Sequence, residues 1–174
     1  MESGLVQVYT GNGKGKTTAA LRLALRAVGH SLKVLVIQFM KGYSNSGELK
    51  SSKELHPYLT IKRVGQEGFI SKSDLSPVDL KLAEEGLLLA KKALESESYD
   101  VVILDEINVA IDYGLILLSD VLNLIDSRPK TVELILTGRN ANPEILERAD
   151  LVTEMVERKH YYEKGIKARK GIEM

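Results

Sequence analysis

The segment Thr10-Gly-Asn-Gly-Lys-Gly-Lys-Thr-Thr18 is the most informative one for the architecture of this 174-residue chain. A strand is predicted before it, over residues 5–10, and a helix after it, over Lys16–Val28. The glycines let the backbone turn tightly and direct successive N–H groups at one anion, while the start of the helix adds free N–H groups and a positive dipole end. Strand, glycine-rich loop and helix in this order predict a phosphate-binding loop, and hence a protein that uses a nucleotide.

The roles within this loop follow from the general pattern G-x-x-x-x-G-K-[ST]. Lys16 is predicted to lie over phosphate oxygens, and the Thr17 hydroxyl is placed to ligate a magnesium ion, while Lys14 adds a second cation. The first glycine of the pattern falls on Thr10, so we expect a reshaped loop. The nucleotide-binding residues predicted here are Gly11, Asn12, Gly13, Lys14, Gly15, Lys16, Thr17 and Thr18.

Composition excludes several classes of function. The 24 basic and 24 acidic residues leave no net charge, which argues against nucleic acid as the main partner. The absence of cysteine excludes disulfides, thiolate metal sites and cysteine nucleophiles. No leader-like segment opens the chain, and no apolar stretch approaches the ~20 residues that a bilayer span needs. We therefore expect a cytoplasmic protein that binds neither nucleic acid nor a membrane.

Strands and helices alternate along the whole chain, which predicts one α/β domain over residues 1–174 with a three-layer, mainly parallel sheet. Strands are predicted over residues 5–10, 32–39, 59–64, 101–104, 132–137 and 151–156. Helices are predicted over residues 16–28, 48–55, 76–96 and 119–127, with one more starting at Asn142-Pro143. The helix after Ser76 places Leu80, Ala83, Leu87, Ala90 and Leu94 on one face. A basic tail covers residues 157–174.

Ligands of such sheets bind outside the carboxyl ends of the strands, so the residues just past each strand are the candidates for a site. The polar residues at these ends include Gln38, Lys41, Asp105, Glu106, Asn108, Thr137 and Arg139. Asp105 and Glu106 resemble a strand-end pair that holds magnesium directly or through water, since a hard cation prefers oxygen ligands. Arg139 could reach phosphate oxygens. Arg26 lies two turns beyond the loop, where packing or a surface ion pair explains it equally well.

These residues alone leave the reaction open. No Ser-His-Asp set is visible, so a nucleophile would arrive with a second substrate. His30, His56 and His160 are too scattered to predict a metal site. The basic tail is either a solvated end or a flap over an anionic substrate. A P-loop ATPase or phosphotransferase, in which Glu106 activates water or an acceptor hydroxyl, and a non-catalytic RecA-like nucleotide-binding module both stay possible.

Several segments together resemble the P-loop-type ATP:corrinoid adenosyltransferases over almost the whole chain. The matching segments cover residues 8–20, 26–30, 38–42, 47–48, 104–108, 136–139, 149–154, 159–160 and 165–173. The resemblance implies a RecA-like P-loop fold in which a cobalt(I) corrinoid attacks C5′ of ATP and expels triphosphate. It also implies Mg²⁺ or Mn²⁺ as cofactor, an electron-donating flavoprotein as partner, and a homodimer.

The family's functional positions can be matched to this chain. The resemblance implies catalytic roles for Lys16, Thr17 and Glu106, and a metal site at Thr17, Asp105 and Glu106. It places Arg26 and Arg139 on the nucleotide side, and Phe69 on the side of the corrinoid. Some members follow this Gly-Phe pair with Thr-Trp, where this chain has Ile70-Ser71.

Overall fold

The computed structural model of the chain describes residues 3–42, 46–68 and 71–173. Its strands are β1 (Val6–Thr10), β2 (Val34–Phe39), β3 (Leu59–Val64), β4 (Val101–Asp105), β5 (Glu133–Thr137) and β6 (Leu151–Glu154). Its helices are α1 (Lys16–Val28), α2 (Gly47–Glu54), α3 (Pro77–Glu95), α4 (Ile107–Asp112), α5 (Leu118–Ser127) and α6 (Pro143–Arg148), followed by a short 3₁₀ helix, Tyr161–Lys164.

The strands form one sheet in the order β3-β2-β4-β5-β1-β6, and each neighbouring pair is parallel. The predicted parallel α/β fold is therefore confirmed, and the sheet is parallel throughout the described residues. Because all strands point the same way, the segments that follow β1, β2, β4 and β5 leave the sheet at one edge. That edge collects the residues predicted to form a site.

Helices cover both faces of the sheet, which gives the expected three layers. On one face, Ala20, Ala24 and Ala27 of α1 pack against residues such as Val36 and Ile103. On the other face, α3 to α6 enclose the larger core, where Phe39 and Leu104 are buried. Alternate residues of the central strands face opposite layers, so these strands are apolar at nearly every position, as their sequence predicts.

The predicted elements all occur, with ends within two residues of the predicted ones, but two features differ. α4 was not predicted, because its six residues directly follow the strand-end carboxylates and give too short a pattern. The buried face of α3 consists mainly of small residues, including Ala83, Gly86 and Ala90, whereas Leu80 is exposed. The small side chains let the helix lie close to the sheet, and a Cβ at Gly86 would lie 2.7 Å from the Phe39 ring.

Candidate active site

The loop between β1 and α1 has the geometry that its glycines predict. Gly11 and Gly15 have φ angles of 90° and 130°, a region that side chains disfavour. Gly13 donates its N–H to the carbonyl oxygen of Met155 at 2.7 Å, and a Cβ on Gly13 would collide with that oxygen. No side chain caps the start of α1. The first N–H groups of this helix are therefore available for an anion.

Lys16 is folded into the loop. Its Nζ donates hydrogen bonds to the carbonyl oxygens of Gly11 at 2.6 Å and Gly13 at 2.8 Å. Burial lowers the pKa of Lys16 from its ordinary value, while the nearby Glu106 carboxylate opposes this shift. A buried ammonium whose hydrogen bonds, within the described residues, go to neutral carbonyl oxygens is well placed to exchange them for phosphate oxygens.

Asp105 ends β4 beneath the loop and is almost fully buried. Its Oδ1 accepts hydrogen bonds from the hydroxyls of Thr17 at 2.8 Å and Thr137 at 2.7 Å. Its Oδ2 accepts from Lys41 Nζ at 2.7 Å and from Gln38 Nε2 at 3.2 Å. Burial would raise the pKa of Asp105, but the Lys41 ammonium and these hydrogen bonds outweigh burial and hold the pKa below its ordinary value. Asp105 is therefore a fixed anion that orients the Thr17 hydroxyl.

Glu106, the next residue, faces the open side of the loop. Its backbone is left-handed, with φ at 64°, and its N–H donates to Thr137 Oγ1 at 3.0 Å. Burial and the neighbouring Asp105 charge raise the pKa of the Glu106 carboxyl, and the cations Lys41, Lys16 and Arg139 only partly offset them. A non-glycine residue in this conformation beside a buried charge is typical of a functional position.

These oxygen atoms fit a hard divalent cation bound together with a nucleotide. The Thr17 hydroxyl and the Asp105 and Glu106 carboxylates are the ligand types that Mg²⁺ accepts. Within the described residues, no cluster of three or more His, Asp or Glu side chains could hold a metal ion by itself. Mg²⁺ sites that use one or two carboxylates, with phosphate oxygens and water completing the shell, have this composition.

A cleft of about 880 Å³ opens above the loop, a volume within the usual range for ligand pockets. The loop and α1 form its floor, α2 forms one wall, and the C-terminal tail forms another. Its charged lining residues are Lys14, Lys16, Arg22, Lys41, Glu48, Glu106, Arg139, Glu157 and Glu173. Lys14 and Lys16 lie next to the uncapped N–H groups at the start of α1, so the cleft is suited to a polyphosphate.

The structure brings most of the predicted site residues together. Asn12 to Thr18, Glu106 and Arg139 line the cleft. Gly11 shapes the loop, and Asp105 lies beneath it. Arg26 is exposed on α1 and is not among the residues that line the cleft. Phe69, predicted on the corrinoid side, lies outside the described residues.

Some lining residues were not among the predicted ones. Arg22 follows Thr18 by one turn of α1, so helical spacing from the loop could have identified it. Lys41 was noted at a strand end without a role. Glu48 and Ser51 reach the cleft only because α2 folds back beside the loop, and no local pattern indicates this.

The tail is folded on itself at the edge of the cleft. Tyr161 OH donates to a Glu173 carboxylate oxygen, and Arg169 donates to the same carboxylate from Nη2 at 2.9 Å and Nε at 3.2 Å. The Arg169 guanidinium also lies over the Tyr161 ring, 5.1 Å from its centroid. His160, Tyr161 and Glu173 line the cleft, so this closed segment forms part of its wall.

No helix within residues 3–42, 46–68 and 71–173 is long and apolar enough to cross a membrane.

The chain is similar to known proteins over nearly its whole length. The family model described as ATP:corrinoid adenosyltransferase BtuR/CobO/CobP matches residues 2–174. A corrinoid adenosyltransferase of Pseudomonas aeruginosa is 38% identical over 172 residues, covering 99% of this chain and 84% of that protein. One of Escherichia coli K12 is 40% identical, covering 99% and 86%. The corrinoid adenosyltransferase CobA of Salmonella typhimurium is 37% identical with the same coverage.

The match extends beyond the phosphate-binding loop that many nucleotide-binding proteins share. It includes the strand-end carboxylates, the segment after β2 and the tail that forms part of the cleft wall. The chain therefore belongs to the ATP:corrinoid adenosyltransferase family.

Proposed function

We propose that the cleft binds Mg²⁺–ATP with the triphosphate on the loop and the ribose carbon C5′ open to a reduced corrinoid. As a family member, the chain is a transferase that moves the adenosyl group of ATP to a reduced corrinoid. The observation that best supports this use of the cleft is the Thr17–Asp105 hydrogen bond, which joins the phosphate loop to the strand-end carboxylates.

In the proposed reaction, the electron pair of cobalt(I) forms the carbon–cobalt bond at C5′. The C5′–O5′ bond breaks, and its electron pair leaves with triphosphate. The substrate itself supplies the nucleophile, in agreement with a chain that has no cysteine. Ser51 and His160 both line the cleft, but no hydrogen bond joins them in the part of the chain that the structure describes.

The protein then has to stabilise a leaving group whose negative charge grows. Lys16 exchanges its bonds to loop carbonyls for bonds to phosphate oxygens, and the N–H groups at the start of α1 bind the same oxygens. Lys14 and Arg139 add positive charge from exposed positions. Thr17, Asp105 and Glu106 would hold the divalent cation, which supplies Lewis-acid stabilisation of the triphosphate when bound.

The test is to mix the protein with ATP, Mg²⁺ and chemically reduced cobalamin under anaerobic conditions. We expect a light-sensitive alkylcobalamin spectrum and one triphosphate per cobalamin alkylated. A Lys16→Met variant should lose roughly 10²-fold or more in rate, as removal of a key donor to a developing anion does. Orthophosphate without alkylcobalamin would contradict the proposal.

One observation favours a second candidate function. Glu106 faces the cleft and has a raised pKa, which suits a residue that activates water in an ATPase. ATP turnover to ADP and orthophosphate, independent of any corrinoid, would support this alternative.

The remaining proposals concern partners and cellular setting. We propose that the protein pairs as a homodimer through the outer edge of β6, because Leu151 and Val152 are exposed there and β6 is a terminal strand of the sheet. Sedimentation should then give twice the mass of the chain, and the measured mass should fall when Val152→Lys is introduced.

Cobalt(I) is strongly reducing, so we also propose a cytoplasmic location and a flavoprotein as electron donor. The electron donor is tested by replacing the chemical reductant of the assay with a reduced flavoprotein.

A further inference from the structure

A row of buried polar side chains crosses the sheet beside the cleft. Arg63 of β3, Gln38 of β2 and Asp105 of β4 occupy matching positions in the parallel register, so they lie side by side on one face. Gln38 is fully buried, and the Arg63 side chain is only 9% exposed. A charged side chain at such depth requires specific partners.

The hydrogen bonds along this row run in one direction. Arg63 Nε donates to Gln38 Oε1 at 2.8 Å, and Gln38 Nε2 donates to Asp105 Oδ2 at 3.2 Å. A guanidinium can only donate, so Gln38 has to present its carbonyl oxygen to Arg63. This leaves the amide NH₂ facing the carboxylate. If the amide turned over, its oxygen would face Asp105 and repel it.

Other guanidinium N–H groups of Arg63 donate hydrogen bonds to the cleft wall. Arg63 donates to the Gly42 carbonyl oxygen at 3.2 Å, to Ser46 Oγ, and to Glu48 Oε1 at 3.1 Å. Ser46 precedes α2, and Glu48 lies in its first turn and lines the cleft. One side chain therefore connects the α2 wall with the carboxylate that orients Thr17.

We propose that Arg63 is a positioning residue for the cation site. Through Gln38 it fixes the orientation of Asp105, and through Ser46 and Glu48 it holds the α2 wall in place beside that site. This inference rests on the proposed function, in which Thr17 and Asp105 hold the divalent cation. Arg63 is not among the described residues that line the cleft.

The experiment measures binding of Mn²⁺–ATP, and of ATP in the presence of a chelator, by calorimetry. Arg63→Met should weaken Mn²⁺–ATP binding about tenfold or more, as loss of a residue behind a metal ligand does, while metal-free ATP binding changes much less. Lys62→Met is the matched control, because it removes the same charge from the neighbouring, exposed position of β3. It should bind like the unmodified protein.

Gln38→Met covers the case in which Arg63→Met does not fold, since it retains Arg63 with its contacts to the α2 wall. It should show a selective loss for Mn²⁺–ATP, and the double variant should be little worse than Arg63→Met alone, which already breaks both connections. Unchanged Mn²⁺–ATP binding in Gln38→Met, or equal losses with and without metal, would overturn the inference. If the unmodified protein binds Mn²⁺–ATP but makes no alkylcobalamin, the proposed function fails while this comparison still decides the role of Arg63.

Discussion

Glu106 combines two unfavourable features at one position. Its backbone is left-handed, and its partly buried carboxyl has a pKa raised by burial and by Asp105. Both features destabilise the fold, since a left-handed conformation costs a non-glycine residue roughly 1–2 kcal/mol. The Glu106 side chain nevertheless lies at the opening of the cleft, beside Lys16 and Arg139. We therefore propose that Glu106 serves the reaction and that stability is reduced as a result.

One substitution of Glu106 separates its effect on stability from its effect on the reaction. Glu106→Asn should raise the free energy of unfolding by up to about 1 kcal/mol, because asparagine tolerates this conformation better. It should also greatly reduce adenosyl transfer. Chemical denaturation and the alkylcobalamin assay check both effects.

Glu97 provides the control, since it also has a positive φ, 48°, but is exposed and lies after α3, away from the cleft. Glu97→Asn should bring a similar gain in stability with unchanged activity. A Glu106→Asn protein that loses stability, or that retains full activity, would contradict the prediction.

At the scale of elements, α3 begins with a complete capping box. Ser76 Oγ accepts from the Asp79 N–H at 3.3 Å, and Asp79 Oδ2 accepts from the Ser76 N–H at 3.0 Å. Gln66 Nε2 donates to Asp79 Oδ1 at 3.0 Å and connects the cap to the segment after β3. Burial would raise the pKa of Asp79, but the hydrogen bonds from Ser76 and Gln66 outweigh it and hold the pKa below the ordinary 3.8.

Asp79 therefore predicts a pH-dependent stability. A carboxyl whose folded-state pKa is depressed stabilises the fold fully above its unfolded-state pKa, and this contribution disappears as the pH falls through the folded-state pKa. Asp79→Asn should cost about 1 kcal/mol at pH 7, the usual size of a helix cap. The difference in the free energy of unfolding between Asp79→Asn and the unmodified protein should shrink below pH 3.8. Urea unfolding across this range measures it.

Asp74→Asn is the comparison for this series, because Asp74 is exposed in the segment just before α3. It should leave stability nearly unchanged at every pH. A deficit of Asp79→Asn that stays constant down to the lowest pH would mean that the charge of Asp79 does not contribute.

At the scale of the whole molecule, the C-terminal tail completes a cleft that the sheet edge leaves open. Glu173 accepts from Tyr161 and Arg169 and so closes the tail into a compact wall. The strong hydrogen bonds from Arg169 and Tyr161 lower the pKa of Glu173 to about 2, so the carboxylate stays charged at neutral pH. The described residues of the tail, 157–173, contribute nothing to the buried core, so the fold of the tail and the stability of the domain are largely independent.

Glu173→Ala should therefore raise the KM for ATP roughly two- to five-fold, the size expected for loss of an exposed ion pair, with little change in kcat. The melting temperature should stay unchanged. Steady-state kinetics and thermal unfolding provide the two readouts, and Glu163→Ala, an exposed acidic residue in the same tail, serves as the control. An unchanged KM would show that the tail does not hold the nucleotide.

Local patterns in the sequence were sufficient for every described strand, for every described helix except α4 and the short 3₁₀ helix, and for the loop from Gly11 to Thr18. Apolar runs, helix caps and glycine spacing act over a few residues, and all of them can be read without knowing the sheet order. The strand-end rule also identified Asp105, Glu106 and Arg139 as candidates, because parallel strands must end at one edge. The corrinoid-side prediction, Phe69, stays a prediction.

Which of these residues come into contact depends on how distant segments pair and pack. The register of β3, β2 and β4 aligns Arg63, Gln38 and Asp105, although they are separated by up to 67 positions in the chain. The left-handed turn at Glu106 likewise involves a distant partner, because its N–H donates to Thr137 Oγ1 on the neighbouring strand. Pairing between distant segments is set by packing of the whole sheet and its two helical layers, which local patterns do not encode.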